Sequence, residues 1–114
     1  MVIYEVNHLD IRPDIHDSYC LWLAVHAREM LSLAGFVGVD WFECESPTGG
    51  STSHNVCLHY HLHGQDDLDR YLREDAPRMR AEGLRLFPGG STIARRVLRP
   101  RRPPFAPEPQ LDCD

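Results

Sequence analysis

The sequence predicts a single α+β domain with the element order β-α-β-β-α-β, and three observations carry the prediction. Residues 56–63, Val-Cys-Leu-His-Tyr-His-Leu-His, alternate strictly between apolar and polar side chains, the period of two of a strand with one buried face. Between residues 15 and 33 the apolar positions recur instead at three- and four-residue steps, the spacing of an amphipathic helix. Clusters of Gly, Pro and Ser punctuate the remaining runs into short elements. At 114 residues the chain is large enough for one core and too short for two.

Residues 2–9 form the first strand, with Val2, Tyr4, Val6 and His8 on one side and Ile3, Glu5 and Asn7 on the other. A turn at residues 10–14 opens the first helix. Pro13 suits a first helical turn, where its missing N–H costs little, and Asp14 and Asp17 suit the positive end of the helix dipole. Ile15, Tyr19, Trp22, Leu23, His26, Met30 and Leu33 mark the buried stripe, and Gly35 can take the left-handed conformation that ends it. Residues 36–45 are rich in β-formers and give a second strand; residues 46–53, dense in turn formers, give a flexible hairpin loop into the third.

Gly64 caps the next helix, whose first turn holds Asp66 and Asp67 and whose buried stripe is Leu68, Tyr71, Leu72 and Ala76. Pro77 should disturb it, with a further turn running through Met79 to a stop at Gly83. Leu84, Leu86 and Phe87 are expected to pack back on the core before the break at residues 88–90, and residues 91–98 form the fourth strand. From Arg99 to Asp114 five prolines beyond the arginine disfavour ladder pairing, so this stretch is read as a disordered tail outside the domain of residues 1–98. The resulting order is the split β-α-β arrangement of ferredoxin-like folds, an antiparallel four-stranded sheet with two helices on one face. Tyr4, Val6, Leu58, Tyr60 and Leu62 then face the helices, and Glu5, Asn7, His59 and His61 fall on the open face. A bare face of this kind favours burial against a second copy, hence a homodimer.

Composition narrows the function classes. The apolar fraction of 42% and the charged fraction of 25% are those of an ordinary globular protein. The net charge of −5 gives no general reason to expect nucleic acid as a partner. No run approaches the roughly 20 apolar residues of a membrane helix, and the opening residues lack the pattern of a signal peptide. A cytoplasmic protein with no nucleic-acid or membrane partner is expected. Cys20, Cys44, Cys57 and Cys113 show no paired spacing, so they read as reduced thiols rather than a disulfide scaffold or zinc knuckle.

Ile3-Tyr4-Glu5-Val6, Trp22-Leu23 with His26 and Met30-Leu31, and above all residues 71–84 with the segment Ala76-Pro77-x-x-Arg80-x-x-Gly83-Leu84 form a pattern that closes with Phe87 and residues 94–98. Over residues 1–98 this resembles a small bacterial family known only as a domain of unknown function within the dimeric α/β-barrel proteins of ferredoxin-like fold. The resemblance implies a homodimer whose two sheets enclose a cavity, and it implies no activity. The wider superfamily includes cofactor-free monooxygenases and isomerases, and no motif here selects among them. The histidine-rich third strand and the proline–arginine tail depart from the family pattern.

The candidate sites follow from residue type. His59, His61 and His63 share one strand face, with His54 upstream; alternate positions lie about 7 Å apart, within reach of a shared zinc, copper or nickel ion. Glu5 on a neighbouring strand would add a carboxylate. The competing reading is a polar sheet face, and no cofactor is expected overall. His26, His59, His61 and Glu5 are the candidates for acid–base chemistry, although a histidine on an apolar helix stripe is usually a core residue. Tyr4, Trp22, Trp41 and Tyr60 are candidates for lining a cavity for a flat ligand, against the simpler role of filling a core or an interface. Arg95 to Arg102 read as a solvated edge strand and tail. Cys57 shares a face with His59 only by coincidence of pattern. The leading function is a small-molecule-binding protein, with a cofactor-free monooxygenase or isomerase as the alternative and a metal-binding protein third.

Overall fold

The computed structural model describes residues 1–45, 55–101 and 104. The first strand, β1, is Val2–Leu9; a turn of 3₁₀ helix, Pro13–Ile15, then feeds α1, His16–Leu31. Strands β2, Phe36–Cys44, and β3, Asn55–Leu62, follow, then helices α2, Gln65–Glu74, and α3, Ala76–Leu86, and finally β4, Thr92–Leu98. The sheet is antiparallel throughout in the order β2-β3-β1-β4. This is the ferredoxin-like α+β arrangement expected. The hairpin loop, His54, Cys113 and nearly all of the tail lie outside the described residues.

The alternation in β1 and β3 sorts the two faces as their sequences require. Val2, Tyr4, Val6 and His8 stand opposite Leu62, Tyr60, Leu58 and Val56, and all eight are buried on the helix side. Against them α1 lays Tyr19, Leu23, Ala27 and Met30, while α2 contributes Leu68 and Tyr71 and α3 Ala76 and Met79. Tyr71 wedges its ring between Tyr4 and Phe36, with centroids at 5.7 and 5.2 Å. Full burial of an aliphatic or aromatic side chain contributes about 1.5–3 kcal/mol, so this layer carries most of the driving force for folding.

The structure corrects three local expectations, the smallest being Leu72, expected on the buried stripe of α2 and 38% exposed. The second helical region is two helices, making three in all rather than two. Pro77 has no N–H to donate to the carbonyl of Arg73, so the chain turns at Asp75 and restarts at Ala76. The restarted helix also continues past Gly83, whose carbonyl accepts the Phe87 N–H at 2.9 Å. That extension carries Leu84 and Leu86 outward, 69% and 41% exposed, so of the three residues expected to pack back on the core Phe87 alone does so. Gly35 ends the α1 turn in the left-handed region, φ +89°, as expected. No helix is long and apolar enough to cross a membrane among the described residues.

Candidate functional site

On the helix side, where α1 and α3 diverge over β4, the structure encloses a cavity of about 370 Å³. Its floor is sheet: His8 from β1, with Ile93 and Arg95 from β4. Tyr19, Trp22 and His26 come down one wall on successive turns of α1. Met79, Arg80 and Gly83 form the α3 wall, and Phe87 and Ser91 close the end.

Each polar group here is placed by a local rule. His8 is a polar residue on the apolar face of β1, so its ring must find a buried partner. Its Nδ1 lies 2.7 Å from the Tyr19 hydroxyl, which lies 2.7 Å from Ser91 Oγ. Burial pushes the His8 imidazole down to about 4, helped by the nearby charges of His26 and Arg95, so the ring is neutral and the chain of hydroxyls can run in either direction. The Tyr19 phenol is raised by its burial and stays protonated. His26 stacks on Trp22 with centroids 4.8 Å apart. Burial lowers it too, against an upward pull from Glu29 and Glu82. Among the described residues its ring nitrogens have no hydrogen-bond partner, which leaves a neutral imidazole against an aromatic face.

Two guanidinium groups complete the cavity. Arg80 donates to the Tyr4 hydroxyl at 3.0 Å, and Arg95 makes no ion pair among the described residues. Among the described residues no carboxylate lines the cavity. Gly83 is there because of space: a Cβ on it would come within 2.9 Å of the Trp22 ring.

The open face carries the second cluster. Registers across the sheet place Asp40, His59, Glu5 and Arg96 in one row, one from each strand. Glu5 is 4% exposed although, among the described residues, no element covers this face. Its Oε1 accepts from Arg96 Nε at 2.6 Å and Asn7 Nδ2 at 3.0 Å, and its Oε2 lies 2.9 Å from His59 Nε2. Arg96 above all, then His59 and Asn7, hold the Glu5 carboxyl down to about 2 against the opposing effect of burial. Burial raises the Cys57 thiol to about 12, with Glu5 adding to the effect.

The expected residues therefore divide. Trp22 and His26 line the cavity together, whereas Tyr4 and Tyr60 sit in the core beside it, with ring centroids 6.3 Å apart. Trp41 lies at a shallow apolar surface with Cys20, Leu21 and Ala24. On the other face His59 meets Glu5, and His61 meets Asp40 at 2.8 Å instead; His63 follows the end of β3 and is exposed. Among the described residues the side chains placed to share an ion are Glu5, Cys57 and His59, with donor atoms within 4.8 Å of one another. His8, Arg80 and Ser91 were not among the expected site residues, and Arg95, expected on a solvated edge strand, lines the cavity instead. The legible signal was His8, a polar residue in phase with Val2, Tyr4 and Val6.

Comparison with known proteins bears out the family resemblance. Residues 1–100 match the model of DUF4286, a domain of unknown function. A crystal structure of a variant of SnoaB, a cofactor-independent oxygenase from Streptomyces nogalater, superposes with a TM-score of 0.64 at 15% identity, covering 92% of this chain and 98% of that one. An antibiotic biosynthesis monooxygenase gives 0.65 at 10% identity, over 90% and 100% of the two chains. An ethyl tert-butyl ether (EthD) family protein from Bacillus halodurans gives 0.63 at 16% identity, over 89% and 100%. At such identities the likeness establishes the shared fold. No curated protein matches the sequence.

Proposed function

This chain belongs to the DUF4286 family, and we propose that it binds a small planar organic anion in the helix-side cavity, as a homodimer joined through its open sheet face. The observation that carries this reading is that Arg80 and Arg95 both line a largely apolar cavity with no carboxylate among its described lining residues. Both side chains are exposed at the mouth of the cavity, where a ligand carboxylate or phenolate would match their charge with the bidentate geometry that guanidinium favours. The Trp22–His26 stack offers a flat ring the parallel surface it prefers. A volume of about 370 Å³ is at the small end of the roughly 300–1,000 Å³ usual for ligand pockets.

Dimerisation rests on what the open face exposes. Phe42 is 44% exposed there, and Ile3, Leu9 and Leu98 are half-buried beside the Glu5 row with no described element above them. The described cysteines, Cys20, Cys44 and Cys57, are free thiols, which fits a reducing cytoplasm.

The test is a binding series with matched probes, naphthoate against naphthamide, read by tryptophan fluorescence and calorimetry. The carboxylate should bind, and Arg95→Gln should weaken it by about tenfold or more, the value of a charged hydrogen bond. Equal binding of the amide, or no effect of Arg95→Gln, would overturn the anion reading. Size-exclusion chromatography with molar-mass detection should show a dimer that Phe42→Asp splits.

A second reading has its own observation. His26 is a neutral base without a partner in the cavity that holds Arg95. There it would take a proton from a bound acid while the guanidinium holds the oxygen that gains charge, the first step of a cofactor-free monooxygenase or isomerase. His26→Gln should then abolish turnover of a substrate it still binds.

A further inference from the structure

On the open face, remote from the cavity residues, we propose that Glu5, Cys57 and His59 form a site for a zinc-class divalent ion. One oxygen, one sulfur and one imidazole nitrogen lie within 4.8 Å of one another, and their backbones are fixed by adjacent strands, with Glu5 opposite His59 and Asn7 opposite Cys57. Such a set needs a small adjustment of side chains to close around an ion, with no movement of the sheet.

Glu5 and Cys57 are 4% and 6% exposed although no described element lies over this face, so their donor atoms are already largely stripped of water. Thiolate, imidazole and carboxylate together are the donors of zinc, whereas magnesium and calcium take oxygen sets. Three protein ligands leave a fourth, tetrahedral position for water.

Binding is a proton exchange. The Cys57 S–H bond breaks, a sulfur–metal bond forms, and that proton leaves to solvent; the Nε2 proton that His59 donates to Glu5 Oε2 moves through solvent to Nδ1, which frees the Nε2 lone pair for the ion, and Glu5 Oε2 exchanges the hydrogen bond for a bond to the metal, with no change of oxidation state. The rival already in place is Arg96, whose guanidinium reaches Oε2 at 3.2 Å. Its side chain is 67% exposed in the single chain and stands on the edge strand β4, so it can withdraw from Oε2 toward the rim of the face while Nε remains on Oε1. The arrangement excludes His61, which Asp40 holds, and His63, which lies past the end of the strand.

The experiment is a cobalt(II) titration of the chelator-treated full chain, followed by displacement with zinc. The expected result is one equivalent per chain, a thiolate-to-cobalt charge-transfer band and the strong visible bands of four-coordinate cobalt. Cys57→Ser should remove the charge-transfer band and weaken binding by roughly tenfold or more, since changes outside the ligand shell already cost about 10–100-fold. Arg96→Gln should tighten binding, and His61→Ala and His63→Ala should leave it unchanged. His59→Gln serves as a second ligand variant should Cys57→Ser fail to fold. No band at stoichiometric cobalt, a band that survives Cys57→Ser (or, if that variant does not fold, binding that survives His59→Gln), or a band lost in His61→Ala overturns the proposal.

Discussion

Glu5 and Arg96, separated by 91 positions, stand directly opposite each other on β1 and β4 and are joined through Arg96 Nε and Glu5 Oε1 at 2.6 Å. The carboxylate is buried while the guanidinium is mostly exposed, so the acid depends on the base more than the reverse. Arg96→Ala is expected to cost about 1–3 kcal/mol, the range for a buried charged acceptor that loses a donor. Arg99→Ala, which removes an exposed hydrogen bond to Gln65, should cost less than about 0.5 kcal/mol. Urea unfolding of the two variants side by side checks this, and equal costs would contradict it.

Acid should weaken the fold through His8. Its imidazole stands at about 4 in the fold against 6.5 for the ordinary group. Between those values the unfolded chain binds a proton that the folded chain refuses, so stability present above pH 6.5 is lost as pH falls toward 4. The gap corresponds to about 3 kcal/mol, with His26 adding in the same direction. Denaturation midpoints across this window should fall in the native chain and fall less in His8→Gln.

Gly83→Ala sets two effects against each other. Alanine favours a helix interior over glycine by about 1 kcal/mol, yet its Cβ would meet the Trp22 ring at 2.9 Å. The indole tip has the cavity to move into, so net stability should change by less than about 1 kcal/mol. The displaced ring should instead cost a planar anion about tenfold in affinity, in line with one surplus methyl in a pocket. Calorimetry with naphthoate, beside a thermal melt, separates the two.

Gly35→Ala should be far more damaging than Gly38→Ala. Gly35 has φ +89°, and a Cβ there would fall 2.5 Å from the Asp67 side chain on α2. Left-handed strain and overpacking together predict a loss of about 2–4 kcal/mol. Gly38 has open space and should tolerate alanine within about 0.5 kcal/mol. Chemical denaturation of both variants decides the matter.

Periodicity made the sheet legible. Tyr4, Val6, Leu58, Tyr60 and Leu62 could be assigned to the helix face because one side of each strand is buried and a single slip in register would have exposed them all. The break at Asp75 was signalled by Pro77, but the end of α3 was not, since a glycine stops a helix only where the chain needs the left-handed turn; here Gly83 serves as a gap for Trp22. The site was harder to see. Arg80 and Arg95 come from separate elements, and an arginine on an edge strand carries no mark of whether its face is wet or enclosed. Cys57 and Glu5 show the same limit: they meet only once β1 has paired with β3.

The strand order has a consequence for how the molecule is made. β1, synthesised before the other elements of this sheet, lies inside it between β3 and β4, and its outer row of hydrogen bonds is completed by residues 92–98. Until those residues emerge, the nascent chain can zip β2 to β3 and dock β1 onto them, but one edge of β1 stays unpaired beneath an unfinished cavity. Long-range closure of this kind slows folding and prolongs exposure of an apolar strand edge. A ribosome stalled before Thr92 would thus hold a chain with Arg95 and Arg96 still missing, open to capture by any free strand nearby.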